Sequence, residues 1–353
     1  MKKVLMLALA LVMVFGMVAA CAQDTPAPAP APAPEPAPAP AAEPAAEAPA
    51  AAPADDDKPI LIGFANLIDS GDYMAWVRRG MIEAAEAYGV EILAVDNQAD
   101  GGQAIQNAHT LIAAGVDAVI WYMNDAAVNS QAKDLFDAEG IPVVAVDIIV
   151  ENAAGRAPQV GGDNYVAGHI AGTGLGRHVM EVWGPDIDLY ICNGTLANAE
   201  TNDARNGGMR DGVRDAGVNL TDDIIVVIDG NDDVATSQRL VSETLTAHPN
   251  ATRILIANHQ DDMSQGAFAA VEMANRQEHV FIVGNGPFGS TFANFRGPEP
   301  NFWVGSASFA PEDYGPTAIP LAIALARGET VPMENFVTHA WLDWYTIDDY
   351  YPQ

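Results

Sequence analysis

The chain has 353 residues, with 16 Lys and Arg against 47 Asp and Glu, and a formal net charge of −31. At about 150 residues per domain this length predicts two domains plus extensions, and 49% hydrophobic residues suffice for cores that need no disulfide or metal staple. So acidic a surface repels phosphate backbones, which excludes nucleic acid as a partner.

The chain opens with Lys2 and Lys3, an apolar run over residues 4–18, and the small residues Ala19 and Ala20 before Cys21. The run is too short to span a bilayer and ends in a processing site, so it reads as a secretory signal. Val18-Ala19-Ala20-Cys21 resembles the lipobox of bacterial lipoproteins. That resemblance implies cleavage before Cys21, lipidation of its thiol, and attachment to the outer face of the cytoplasmic membrane. Residues 22–57 are almost all Ala and Pro, and hold 11 of the 24 prolines. Such a segment buries no core and favours extended polyproline-II structure, so a disordered stalk is expected.

From Lys58 short apolar runs alternate with amphipathic stretches. The runs cover 60–65, 90–95, 118–122 and 143–146, then 189–192, 224–228, 254–257 and 280–283. They are continuous and rich in Val and Ile, as strands buried on both faces are. Between them the period turns helical: Met74, Val77, Met81, Ala84 and Tyr88; Ile105, Ala108, Leu111 and Ile112; Met263, Ala267, Val271 and Ala274. Ala114-Gly115 and Gly140-Ile141-Pro142 close helices before the next strand.

This spacing predicts an α/β protein with two lobes, each a doubly wound parallel sheet, divided at the longer connection 151–162. Ligands of such sheets bind beyond the carboxyl ends of the strands. Those ends carry Asn66, Asp96-Asn97, Tyr122 to Asp125 and Asp147 in the first half, and Asn193, Asp229 to Asp233, Asn258 to Asp261 and Asn285 in the second. Tyr73, Trp76, Trp121 and Tyr122 lie near the same edge. Carboxylates and amides around aromatic faces suit a polyhydroxylated ligand, whose hydroxyls they bond and whose C–H face they cover.

Motifs for catalysis fail in turn. Gly284-Asn285-Gly286-Pro287-Phe288-Gly289 spells a dinucleotide fingerprint, but it follows a late strand and carries Pro287 where a backbone donor is needed, so it reads as a turn. Gly172-Thr173-Gly174-Leu175-Gly176 falls within a helical stretch and reads as close helix packing. The acidic run from Asp229 to Asp233 fails as a calcium loop, because Val234 stands where Gly is needed and Leu240 where Glu is. His109, His169, His178, His248 and His279 show no metal spacing, and nothing around Cys192 marks a nucleophile. No enzyme activity, cofactor or metal is expected.

The order of the motifs resembles the ribose/galactose-type periplasmic sugar-binding proteins of ABC transporters, which have the type I fold. The resemblance is carried by Arg79-Gly80-Met81, the stretch from Ala94 to Gln98, and those from Ala113 to Ile120 and from Gly140 to Asp147. It continues through Gly162-Asp163-Asn164-Tyr165, Thr246 to Pro249, Asn258 to Asp261, and Ile282-Val283-Gly284. It implies a monomeric clamp that closes on one sugar and docks on a membrane permease. Its lobes would be 58–161 with 309–332, and 162–308 with 333–353, joined by crossings near Gly161, Phe309 and Pro332.

Site residues carried over from the family are Asp147 as the acidic contact, Tyr73 and Met74 in the stacking loop, Asn66 after the first strand, and Gln260 where the family has Asn. Arg205 or, without a gap, Asp203 takes the arginine position; Tyr122, Asp232 and Phe309 are further ligand-contact candidates outside that carry-over. The chain departs from the pattern at Ile148, where ribose binders have Arg, and at Asn285, which replaces an Asp. On this reading Asp147, Asn66, Asn285 and Gln260 bind hydroxyls, Arg205 donates across the cleft, and Tyr73 and Tyr122 cover the ring. A sensory protein presenting a sugar-like signal to a receptor, and a secreted nucleotide-dependent enzyme, are the alternatives. A neighbouring permease gene would favour transport over the first, and a co-purifying nucleotide would favour the second.

Overall fold

The computed structural model describes residues 59–196, 199–297 and 300–352. The signal, the Ala/Pro stretch and Cys21 lie outside the described residues. In the first half come β1 (Leu61–Asn66), α1 (Asp72–Tyr88), β2 (Glu91–Asp96), α2 (Gly101–Ala114), β3 (Ala118–Trp121), α3 (Ala126–Ala138) and β4 (Val143–Val146). A small hairpin, β5 (Glu151–Asn152) and β6 (Gly155–Arg156), leads to β7 (Gln159–Gly162). Then follow α4 (Asn164–Val182), β8 (Leu189–Gly194), α5 (Ala199–Asp215), β9 (Ile225–Asp229), α6 (Val234–Ala247), β10 (Ile254–Asn258), α7 (Asp261–Met273) and β11 (Val280–Asn285). The chain ends with α8 (Phe292–Phe295), β12 (Trp303–Ala307), α9 (Tyr314–Ala326), β13 (Glu334–Val337), β14 (Trp341–Leu342) and α10 (Ile347–Tyr350).

Two six-stranded sheets result, ordered β13-β7-β4-β3-β1-β2 and β14-β12-β11-β10-β8-β9. The first is parallel throughout, and in the second only the β12–β14 pair is antiparallel. The central strands are apolar without alternation because helices cover both faces. In the first sheet Ile62, Phe64, Ile120 and Val144 pack with Val77 and Met81 of α1 and Ile319 of α9, whereas Ala65, Val119, Trp121 and Ala145 pack with Leu111 of α2 and Phe136 of α3. Strand order reverses between β1 and β3, and again between β8 and β10, so a crevice opens at each of those carboxyl ends.

The strand-end loops also start the helices. Asp100, Asp125, Asp163 and Asp233 are N-caps that accept from the backbone N–H of Gln103, of Ala127 and Val128, of Val166 and of Thr236. Four acids at this edge therefore satisfy orphan helix donors.

The chain passes between sheets after β7, after β12 and after β13. The sequence placed the third passage near Pro332, but Glu334–Val337 pairs in parallel with Gln159–Gly162 and so extends the first sheet. The passage lies at residues 338–340, ahead of β14 in the second sheet. The passages are tied together: Ser308 N–H donates to Ala340 O and Ala340 N–H to Ser308 Oγ, both at 2.8 Å. A Cβ at Gly162 would stand 2.9 Å from the Phe309 ring and 3.1 Å from His339, so only glycine lets the first passage lie against the other two. Among the described residues no helix is long and apolar enough to cross a membrane.

Candidate functional site

Asp147 follows β4 in the left-handed region, with φ 55°. Its N–H donates to Val160 O at 2.8 Å, and Gln159 Nε2 donates to its carbonyl at 2.5 Å, so β7 holds this strained residue in place. The carboxylate receives three phenols. Tyr314 O–H reaches Oδ1 at 2.6 Å, Tyr122 O–H reaches Oδ2 at 2.7 Å, and Tyr73 lies 3.4 Å from Oδ2 and 2.9 Å from the Tyr314 oxygen. The Gly162 N–H is a fourth donor. Burial pushes the Asp147 carboxyl up, and its hydrogen bonds to Tyr314, Tyr122, Gly162 and Tyr73 oppose that shift. Burial, followed by the Asp147 charge, raises all three phenols well above the ordinary tyrosine value.

Arg205 faces this group from the second lobe. Its helix α5 lies directly on α4, because a Cβ at Gly168 would overlap the Arg205 carbonyl oxygen and one at Gly172 that of Met209. The glycine-rich stretch is thus the helix-packing site that the sequence suggested. Arg205 Nη1 donates to His259 O at 2.7 Å and Nη2 to Asn164 Oδ1 at 2.6 Å, and the guanidinium stacks 4.3 Å from the centre of the Phe309 ring. Nε has no partner among the described residues. Burial lowers the Arg205 pKa to about 10, against the pull of Tyr73, Asp232, Tyr314 and Asp147. Burial and the Arg205 charge lower His259 to about 3, so its ring is neutral at pH 7.

The turn Gly284 to Gly289 closes the opposite wall. Gly286 and Gly289 have positive φ, and Phe288 meets Tyr73 edge to face at 5.0 Å between ring centres. The fingerprint lookalike is therefore the loop that touches α1, and an added Cβ at Gly289 would collide with the Asp72 carboxylate. Tyr73 consequently packs against the cores of both lobes.

The structure brings Tyr73, Tyr122, Asp147, Arg205 and Phe309 together, but several other candidates have different partners. Asn66 is fully buried, and its Nδ2 lies within hydrogen-bonding distance of Ile68 O, Asp69 Oδ1 and Met74 O, so it organises its own loop. Met74 is partly buried against the first-lobe core. Asn285 Nδ2 donates to Asn258 O at 3.1 Å, while Asn258 Nδ2 donates to Val283 O and Asn193 Nδ2 to Asn258 Oδ1. These strand-end amides tie neighbouring strands together. Gln260 stands at the N-cap position of α7 without a side-chain capping bond and donates to Asp232 O at 3.3 Å, Asp203 is exposed, and Asp232 is exposed with φ 52°. Burial raises the Asp232 carboxyl, opposed by Thr195 and Arg205. Trp121 is a core residue bonded to Asn129, and Trp76 packs on Phe292 and Tyr351, so neither joins the Asp147 group.

Two neighbours of the group, Tyr314 and His339, escaped the sequence reading, and His259 entered it only within the strand-end stretch Asn258 to Asp261. His259 and His339 are 5% and 8% exposed, and each keeps one ring nitrogen without a partner among the described residues. Tyr314 opens a helix after Pro311, and nothing local marks it.

A protein-family model described as a periplasmic binding protein domain matches residues 62–330. The chain belongs to that family. The family is one of binding proteins, which agrees with the failure of every catalytic motif in this member. Over 236 residues the chain is 22% identical to the ribose import binding protein of Bacillus subtilis (strain 168), covering 64% of this periplasmic binding protein and 70% of that one. An ABC transporter periplasmic solute binding protein from Actinobacillus succinogenes 130z, solved with D-allose, is 20% identical with a TM-score of 0.67, covering 83% of this chain and all of that one. A Bacillus halodurans C-125 solute binding protein solved with myo-inositol is 18% identical with a TM-score of 0.64, covering 84% and 99%.

Proposed function

We propose that this chain captures a monosaccharide or related polyol between its lobes and delivers it to the permease of an ABC transporter, from a lipid anchor at Cys21 on the outer face of the membrane. The observation that carries the reading is the meeting of two lobes at one aromatic and charged edge. Tyr73, Tyr122 and Asp147 come from the first lobe, Phe288 and Arg205 from the second, and Phe309 from the passage between them. The relatives' cargo, ribose, allose and inositol by their names, supports a polyol. Closure is a hinge movement about the three passages, and ligand contacts to both lobes favour it.

The test is a thermal-shift panel of pentoses, hexoses, inositols and nucleosides on the purified chain. A ligand specific for the folded state adds about 2.7 kcal/mol at 100 times its dissociation constant. A shift with one sugar and not with its epimers is expected. A shift with a nucleoside alone refutes the sugar reading.

A further inference from the structure

Most of the acceptor capacity of Asp147 is taken within the protein. A carboxylate offers about four lone-pair sites, and here Tyr314, Tyr122 and the Gly162 N–H donate to it, while the Tyr73 hydroxyl stands 3.4 Å from Oδ2 and shares its proton with the nearer Tyr314 oxygen. A sugar hydroxyl that bonds this carboxylate must compete with the Tyr73 hydroxyl or displace Tyr122 or Tyr314. Each phenol uses its single proton inside the group, so what it can offer outward is an oxygen lone pair. Further aromatic rings surround them, with Phe288 5.0 Å from Tyr73 and Phe309 beneath Arg205. Ile148 and Asn285 remove two charged groups that the resemblance would have supplied.

We propose that Asp147 is a positioning residue that holds Tyr73, Tyr122 and Tyr314 as an acceptor-only phenolic wall, and that Tyr314 is the specificity-determining residue that closes the carboxylate to ligand hydroxyls. This rests on the sugar-binding reading and narrows it. The ligand class is a polyol with a C–H-rich face, such as a deoxy sugar or a cyclitol, that stacks on aromatic rings and donates to phenolic oxygens. A sugar clasped by a carboxylate through two adjacent hydroxyls does not fit.

All four side chains belong to the first lobe, so the arrangement exists before any ligand arrives and can be tested without one. A crystal structure of the unliganded full chain is expected to show the three phenols around Asp147. Tyr314 turned away, with the carboxylate open to water, would overturn the assignment. The second arm is calorimetric titration of the full chain and its Tyr314→Phe variant with D-galactose and D-fucose, D-ribose and 2-deoxy-D-ribose, and D-glucose and 2-deoxy-D-glucose. For the pair that binds best, the unaltered chain should separate the two members by less than about threefold. Freeing one lone pair of Oδ1 should then favour the hydroxylated member by about fivefold, the worth of one ordinary hydrogen bond. An unchanged ratio refutes the role of Tyr314, whatever happens to stability. If no sugar binds either chain, the sugar reading fails, and the unliganded structure still decides the tyrosine assignment.

Discussion

Asp261→Asn tests how a buried carboxyl sets the pH dependence of stability. Asp261 is 2% exposed at the start of α7. It accepts from Ser306 Oγ at 2.8 and 2.9 Å, from Ser264 Oγ at 3.5 Å and from the Asn285 N–H, so it joins α7 to β11 and β12. Burial, reinforced by Asp262, pushes its pKa up to about 7. An unfolded Asp titrates near 4. Between those values the folded chain holds a proton that the unfolded chain has released, so stability falls as pH rises. The contribution is fully present below about pH 4, and it is lost once pH passes about 7. At 1.36 kcal/mol for each tenfold ratio, the loss approaches about 4 kcal/mol. Asn has nothing to ionise and can keep the Asn285 bond through its oxygen. The variant should therefore lose about 1 kcal/mol near pH 4 through rearranged hydrogen bonds, and should exceed the unaltered chain by about 3 kcal/mol at pH 8. Urea denaturation of both chains at pH 4.5, 6 and 8 measures the difference, from which the other titrating groups cancel. A difference that does not vary with pH would refute the reasoning.

Gly172→Ala should lose about 1–3 kcal/mol in denaturant, because its Cβ overlaps the Met209 carbonyl and no rotamer relieves that overlap. Gly207→Ala in α5, where an added Cβ meets nothing within 4 Å, should gain about 0.5–1 kcal/mol by restoring helix propensity. Burial raises the Cys192 pKa to about 11. In a chain with Cys21 replaced by Ser, native protein at pH 8 should leave a disulfide reagent unreacted, and denatured protein should consume one equivalent. Trp76→Ala removes rings that meet Phe292 at 5.7 Å and Tyr351 at 5.6 Å across the lobes. Affinity for the sugar giving the largest thermal shift should fall about three- to tenfold, and the radius of gyration of the unliganded chain should rise.

The strands were legible because the central ones are buried on both faces and so read as unbroken apolar runs, while the edge strands β2 and β9 kept Val and Ile although they are only partly buried. The run 143–146 matches β4 residue for residue, and 60–65 is shifted from β1 by one. The helices were legible from their period, and the lobe division from the longer connection before α4. β5, β6, β7, β12, β13 and β14 were missed: the β5–β6 hairpin, Gln159–Gly162 and Trp341–Leu342 are too short or too polar to form a run, and Glu334–Val337 becomes a strand only because β7 offers it an edge. At the site, the sequence determined which polar and aromatic residues reach the carboxyl edge of the strands. It could not determine which of them face the cleft. Asn66 and Asn285 lie at that edge, yet their amide nitrogens bond to backbone beside them, while each Oδ1 is buried without a partner among the described residues. Tyr314 lies 167 residues from Asp147 and meets it only when α9 folds back onto the first sheet. Periodicity and spacing report the environment within a few turns of chain. Which donors fill a buried carboxylate is decided by chain passages that bring distant residues together, and those exist only in the folded protein.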